Sequence, residues 1–205
     1  MKTKKLLLLI LVAVLFIPKM NVSAIQEKDI YSKTILKSQE NIEKDFEQQL
    51  NYYINDLKNQ NLSLNFPNNE IRPLDRSKYV TELVGSTRQW FGPYKAGGQN
   101  YGPVSFPSYG GSIYWEAGSG PNVSAGVTIN GQYVSFTLNI GSRTTDRVTG
   151  YSVNVPNYGS WYLYVERQME VRKYNIYKIA NGRKTYYTST TSTTPIGVRL
   201  SIRQN

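Results

Sequence analysis

Two Asn-Gly pairs, each lying between segments of alternating apolar and polar residues, constrain the fold of this chain more than any other feature. Asn130-Gly131 separates residues 123–129 from 134–140, and Asn181-Gly182 separates 173–179 from 184–188. A period of two is typical of strands with one buried face, and Asn-Gly favours the type I′ turn that joins antiparallel strands. The pattern predicts two β-hairpins.

Further strand patterns recur between residues 79 and 205, separated by turn signals such as Pro156-Asn157-Tyr158-Gly159. About eight or nine short strands at such spacing are typical of an antiparallel β-sandwich, which we take as the fold of residues 79–205. The remaining strands are expected at 80–84, 112–116, 151–155, 161–167 and 196–202.

Residues 25–58 have a different period. Apolar residues at 35, 42, 46, 50, 53 and 57 lie on one face of a 3.6-residue repeat, and neither Gly nor Pro interrupts them. This predicts one amphipathic helix, which could be a removable pro-segment, before the sandwich. Residues 59–78 are rich in Asn and contain Pro67 and Pro73, which predicts a linker.

Residues 1–24 have the three-part pattern of a secretory signal peptide. Three lysines precede 12 apolar residues, and Val22-Ser23-Ala24 forms a small-residue end. The apolar run is shorter than the roughly 20 residues that a membrane-spanning helix needs. We therefore expect an extracellular protein, and the general organisation resembles small exported proteins of Gram-positive bacteria.

The chain contains neither cysteine nor histidine. This excludes disulfides, thiolate metal sites and the usual histidine-based catalysis, so no catalytic residue, metal ligand or cofactor is predicted. Paired carboxylates would be the only remaining catalytic set, and a glycoside hydrolase using Glu116 beside Trp115 is a distant alternative.

The best candidate for a binding site is the aromatic, Gly/Pro-rich segment 90–121, because long loops on a β-scaffold often bind ligands. Flat aromatic faces can receive sugars or cations. The same residues could simply pack one end of the sandwich. The candidate residues are Trp90, Tyr94, Tyr101, Tyr109, Tyr114 and Trp115.

Residues 79–205 carry twelve Lys/Arg against five Asp/Glu, a net charge of +7. Such an excess favours anionic partners, although a generally basic soluble surface would look the same. The candidate basic surface comprises Arg143, Arg147, Arg167, Arg172 and Lys173. Strand alternation also places Tyr162, Tyr164 and Glu166 on one face, joined by Glu170 and Arg172 if the alternation persists.

Together these features predict a secreted, non-enzymatic protein that binds a cell-surface glycan or anionic polymer. Nucleic acid is not an expected partner. The alternative is a membrane-active toxin or bacteriocin that contacts lipid through hairpin 123–140, because its uncharged arms alternate like those of pore-forming hairpins. Val134, Phe136 and Leu138 would face the lipid. An ordinary sandwich hairpin has the same pattern.

Overall fold

The computed structural model describes residues 32–63, 78–96, 102–116, 120–141 and 150–205. The predicted signal peptide and most of the predicted linker lie outside these residues. The described ranges form nine strands and one helix. In chain order they are β1 (Ser32–Leu36), α1 (Gln39–Ser63), β2 (Lys78–Lys95), β3 (Val104–Phe106), β4 (Gly111–Glu116), β5 (Asn122–Ile129), β6 (Gln132–Asn139), β7 (Gly150–Val155), β8 (Gly159–Ala180) and β9 (Arg183–Gln204).

A long antiparallel sheet organises the molecule, with strand order β1-β9-β8-β2 and with β3 paired to one end of β8. β8 and β9 are joined by Asn181-Gly182, whose φ angles are 50° and 71°. Asn130-Gly131 joins β5 to β6 with φ angles of 49° and 76°. Both predicted hairpins are therefore confirmed. Asn-Gly suits the turns because each turn needs two consecutive residues that tolerate positive φ.

Two smaller antiparallel pairs, β4–β7 and β5–β6, pack against the inner face of the long sheet. Trp115 and Val153 from β4–β7 and Leu138 from β6 meet Leu163 and Val198 of the long sheet in the main core. The predicted class is confirmed: a mainly β, sandwich-like fold with one helix before the sandwich strands.

Three strands are longer than their sequence pattern indicates, since β8 and β9 have 22 residues each and β2 has 18. The segments 161–167 and 173–179 are one strand. Between them Met169, Glu170, Val171 and Arg172 are all buried. The sheet is covered on both faces there, so the alternation that marks a half-buried strand disappears. The register shift beside Gln168 and Met169 places its extra residue, Ile196, in β9, so it does not displace the inward and outward alternation of β8.

The helix also differs from its predicted bounds. It begins at Gln39 and ends at Ser63, and the preceding residues Ser32–Leu36 form a strand on the outer edge of β9. The Oγ of Ser38 accepts a hydrogen bond from the Asn41 amide at 3.4 Å, as expected of a helix cap. Ile35, which fits the helical repeat, instead pairs with Val198.

α1 lies on the outer face of the long sheet, opposite the two smaller pairs. Ile42 and Phe46 pack against Ile196, and Leu57 packs against Ile176 and Tyr79. The helix is thus buried on one side, as its apolar stripe requires. Among the residues described, no helix is both long and apolar enough to cross a bilayer.

Candidate functional site

The outer face of the long sheet has two halves with different surroundings. On β8, Tyr174 and Ile176 are buried on the half that α1 covers. Tyr162, Tyr164 and Glu166, nearer the start of the strand, are only partly buried. Because α1 begins at Gln39, no helix of the described residues covers this second half, which we call the open half.

The open half carries cations stacked on aromatic rings across three strands. Lys95 of β2 pairs with Tyr164, and Arg203 of β9 pairs with Tyr162, so these side chains share one face. Nζ of Lys95 lies 4.1 Å from the centroid of the Tyr162 ring. The Arg203 guanidinium lies 4.7 Å from the centroid of Tyr164. The two tyrosine rings contact each other edge to face at 6.4 Å.

A third stacked pair extends this surface. The Arg199 guanidinium lies 4.4 Å from the centroid of Trp90, and its Nη1 donates to Oε2 of Glu166 at 3.2 Å. Lys95 and Arg203 have no carboxylate partner among the residues described. We call the complete set the cation–aromatic face: Trp90, Lys95, Tyr162, Tyr164, Glu166, Arg199 and Arg203.

Stacking determines what these cations can do. A guanidinium above a ring uses its flat side for the ring, while its five N–H donors lie in its own plane and remain free to bond oxygen. The rings therefore hold the arginines without consuming those donors. With three cations and one carboxylate, the cation–aromatic face is suited to phosphate or carboxylate groups on a ligand.

The half covered by α1 contains a different charge arrangement. Arg172 donates from Nη1 and Nη2 to both carboxylate oxygens of Glu43 on α1, each at 2.6 Å. Its Nε donates to Glu170 at 2.6 Å, and Arg88 bonds the other oxygen of Glu170 at 2.6 Å. The Arg172 guanidinium also lies 4.0 Å from the Phe46 centroid.

These contacts shift the protonation equilibria of both partners. Hydrogen bonds from Arg172 are the main reason that the pKa of Glu43 falls to about 2. Hydrogen bonding to Glu43 in turn raises the pKa of Arg172. Because every in-plane side of Arg172 that could meet a ligand is already bonded, this cluster attaches α1 to the sheet and offers little to a ligand.

The predicted aromatic candidates do not form one surface. Tyr109 and Tyr114 are exposed, whereas Trp115 is only 1% exposed and stacks on Tyr151 at 6.0 Å. Trp115 is therefore part of the core and cannot line a surface in this fold. Tyr94 is half-buried against the core, and Trp90 belongs to the cation–aromatic face. Tyr101 lies outside the described residues.

The predicted basic surface changes more. Arg167 is 0% exposed, and burial lowers its pKa to about 10. Arg172 is the ion-pair centre beneath α1, so neither arginine is a surface cation. Lys173 is half-buried and donates to Gln132. Arg143 and Arg147 lie outside the described residues. Glu170 and Arg172 share the outer face with Tyr162 and Tyr164, as alternation predicts, but they lie in the half that α1 covers.

The hairpin β5–β6 places the three apolar candidates against the body of the protein. Leu138 is buried in the main core, while Val134 and Phe136 are partly buried. Phe136 meets Phe91 of β2 edge to face at 5.6 Å. The other face of the hairpin carries exposed Ser124, Thr128, Ser135 and Thr137. The apolar face is thus buried in this structure, as in an ordinary sandwich.

Sequence reasoning identified Trp90, Tyr162, Tyr164 and Glu166 as notable but missed Lys95, Arg199 and Arg203 as their partners. These cations come from strands far apart in the chain, and only the register of β2, β8 and β9 joins them. Regular pairing from the Asn181-Gly182 turn would have placed Ser201 opposite Tyr162, and only the two register shifts between β8 and β9 bring Arg203 there.

Glu116, the residue of the hydrolase alternative, lies exposed at the end of β4, and that alternative stays a prediction. No cluster of acidic residues suited to a metal ion occurs in the described ranges. Comparison of the chain with protein-family models, curated proteins and solved structures found no significant match.

Proposed function

We propose that this protein is a secreted, non-enzymatic binding protein whose cation–aromatic face recognises an anionic polymer of the cell surface. The observation that carries the proposal is the set of three cations stacked on three aromatic rings across adjacent strands. The signal-peptide pattern of residues 1–24 supports export.

The chemistry of this face favours acidic groups over neutral sugar rings. Each of the three rings already has a cation over it, which reduces the ring surface left for a sugar, whereas stacking of this kind does not use the N–H donors of the cations. Repeated phosphates or carboxylates along a polymer could engage Lys95, Arg199 and Arg203 together, and such multiple contacts raise the apparent affinity. The sheet holds the cations in a fixed arrangement, which reduces the entropy lost on binding.

Binding to immobilised poly(glycerol phosphate), with uncharged dextran as the comparison polymer, tests the proposal. The double variant Arg199→Gln/Arg203→Gln should weaken binding about tenfold, which corresponds to roughly 1.4 kcal/mol. The matched control Arg183→Gln/Lys184→Gln removes the same charge from the far end of the β8–β9 hairpin. Equal losses in both variants would mean that net charge, and not this face, governs binding.

A second candidate function, membrane insertion of the β5–β6 hairpin, is supported by one observation. β5 and β6 pair only with each other among the described strands, so side-chain packing and a few polar contacts hold the hairpin to the long sheet. A hairpin held in this way could separate without breaking the backbone ladder of the long sheet. Its uncharged Ser/Thr face would suit a water-filled lumen.

Dye release from anionic and neutral vesicles tests this candidate. If the hairpin inserts, Val134→Asp should abolish release because it places a charge on the lipid side. The neighbouring change Ser135→Asp should permit release because it faces the lumen. Unchanged thermal unfolding of both variants serves as the folding control. Absence of release by the unaltered protein contradicts the candidate.

A further inference from the structure

Two turns lie side by side at one end of the sandwich. Residues 107–110 connect β3 to β4, and residues 156–158 connect β7 to β8. Gly111 pairs with Val155, which sets the two turns next to each other. They approach so closely that a Cβ added to Gly110 would lie 2.0 Å from the carbonyl oxygen of Val155. We call residues 107–110 and 156–158 the tyrosine tip.

Each turn of the tyrosine tip presents one tyrosine to solvent. Tyr109 is 85% exposed and Tyr158 is 73% exposed. Single exposed apolar residues are common on protein surfaces, but two on adjoining turns form a small aromatic surface. The first turn is well defined, because the Gly110 amide donates to the Pro107 carbonyl at 2.9 Å. A turn that is already ordered loses less entropy on binding.

The chain around both turns carries no charged side chain. Residues 102–111 read GPVSFPSYGG, and residues 150–160 read GYSVNVPNYGS. Val104 and Pro107 are exposed as well. This composition contrasts with the net charge of +7 that residues 79–205 carry. The tyrosine tip can therefore leave bulk water without desolvating a charged side chain.

Cations lie behind the tyrosine tip, on the outer face of the long sheet. Tyr162 follows Tyr158 by four residues, which is roughly 13 Å in an extended chain. Nζ of Lys95 lies 4.1 Å from the centroid of the Tyr162 ring, and Arg203 of β9 pairs with Tyr162. The molecule thus has an uncharged aromatic end with positive charges a short distance behind it.

We propose that the tyrosine tip docks on a lipid bilayer that contains anionic head groups. Tyrosine rings prefer the boundary between head groups and acyl chains, where the ring meets an apolar layer and its hydroxyl stays hydrated. Lys95 and Arg203 would then face lipid phosphates, which attract cations near the surface. Small sugars usually bind in concave sites, whereas two adjoining turns fit a fluid surface that deforms around them.

This docking is separate from both functions proposed above. Tyr109 and Tyr158 do not belong to the cation–aromatic face, although Lys95 and Arg203 would serve both partners. The β5–β6 turn lies toward the other end of the long sheet, because Asn130 donates to the Val84 carbonyl at 3.0 Å and Leu83 pairs with Tyr174. The tyrosine tip can therefore dock without polymer recognition and without insertion of the hairpin.

Co-sedimentation with vesicles tests the proposal, using phosphatidylcholine alone and phosphatidylcholine mixed with phosphatidylglycerol. The protein should bind the mixed vesicles more tightly than the neutral ones. Tyr109→Ser/Tyr158→Ser should weaken binding to the mixed vesicles about tenfold, because two rings no longer enter the interface. The same variant should bind immobilised poly(glycerol phosphate) as the unaltered protein does, which separates this proposal from polymer recognition.

A matched control removes two exposed tyrosines from other parts of the surface. Tyr52 on α1 is 79% exposed and Tyr186 on β9 is 60% exposed. Tyr52→Ser/Tyr186→Ser should bind the mixed vesicles as tightly as the unaltered protein. Thermal unfolding of both double variants checks that each still folds.

A fluorescent label reports whether the tip enters the bilayer. Because the chain has no cysteine, Tyr109→Cys offers a single thiol for a dye whose emission shifts to shorter wavelength in apolar surroundings. The emission should shift with the mixed vesicles but not with poly(glycerol phosphate), and the same dye at Tyr52→Cys should not shift.

Three outcomes would overturn the proposal. The first is no binding of the unaltered protein to the mixed vesicles, which includes the case in which the tip binds only a sugar or another protein. The second is vesicle binding that Tyr109→Ser/Tyr158→Ser retains, because the cations alone would then explain it. The third is an equal loss in Tyr52→Ser/Tyr186→Ser, or no emission shift at Tyr109→Cys.

Discussion

On the outer face of the long sheet an arginine lies over an aromatic ring in each of the two halves, and the two arginine–aromatic contacts have different roles. Arg172 lies over Phe46 at 4.0 Å beneath α1, and Arg199 lies over Trp90 at 4.4 Å in the open half. Each arginine also bonds glutamate. Arg172 is buried and bonded to two carboxylates, whereas Arg199 is partly exposed and bonded to one.

The difference shows how a cover determines the role of a charged group. Beneath α1, removing one partner would leave another charge in a poorly solvated place, so the cluster matters for stability. In the open half, water screens the pair and contributes its own hydrogen bonds, so the pair adds little to stability. The donors that do not stabilise the fold are the ones available to a ligand.

The largest expected effect comes from the two aromatic residues. Phe46→Ala should lower the free energy of unfolding by about 4 kcal/mol, because the ring is 1% exposed and its loss leaves a cavity between α1 and the sheet. The matched change Trp90→Ala should cost at most about 2 kcal/mol, since the ring is only partly buried, and should weaken polymer binding. Urea denaturation measures both costs, and equal values would contradict the comparison.

Substitution of the two arginines should also change the free energy of unfolding unequally, but by less than substitution of the aromatic residues. Arg172→Met should cost about 3 kcal/mol, because Glu170 keeps only Arg88 and its side chain is 3% exposed. Arg199→Met should cost less than about 1 kcal/mol, as is usual for a partly exposed pair. The same denaturation experiment checks this. A cost for Arg199→Met as large as that for Arg172→Met would show that the open half is structural.

The smallest expected effect is the dependence of stability on acid. The pKa of Glu43 is about 2 in the folded protein and has an ordinary value near 4.5 when unfolded. Its folded pKa is depressed, so the contribution of Glu43 is fully present above pH 4.5 and is lost as the pH falls toward 2. In the Glu43→Gln variant the free energy of unfolding, measured by urea denaturation at several pH values, should change less between pH 4.5 and 2 than in the unaltered protein. An unchanged acid slope in this variant would mean that other groups cause it.

Local patterns predicted much of the fold. The turns at Asn130-Gly131 and Asn181-Gly182 follow from residues that tolerate positive φ, and the strands beside them alternate because one face is buried. The sequence pattern divided β8 into two strands at Gln168–Arg172, because α1 and β5–β6 cover both faces there and the alternation is lost. Ser32–Leu36 was predicted as helix because Ile35 fits the helical repeat. The five-residue strand forms instead because it pairs with the edge of β9, which the local sequence does not reveal.

The candidate site could be predicted only in part, for a related reason. Trp115 was a binding candidate because it lies in the Gly/Pro-rich segment 90–121, and Arg167 because arginine is mostly exposed, yet β4 and β8 direct both inward. Conversely, Arg199 and Arg203 seemed to be scattered charges. Nothing within either segment indicates that β9 sets them opposite Glu166 and Tyr162.

The sequence by itself determined the antiparallel β class, both Asn-Gly turns and the apolar stripe of the helix, because each depends on residues within a few positions of one another. The tertiary structure alone decided where α1 covers the sheet and which cations meet which rings. Those outcomes depend on strand register and on burial, and both are set by contacts between residues that are distant in the chain. The same Arg–aromatic chemistry therefore stabilises the fold at Arg172 and remains accessible at Arg199.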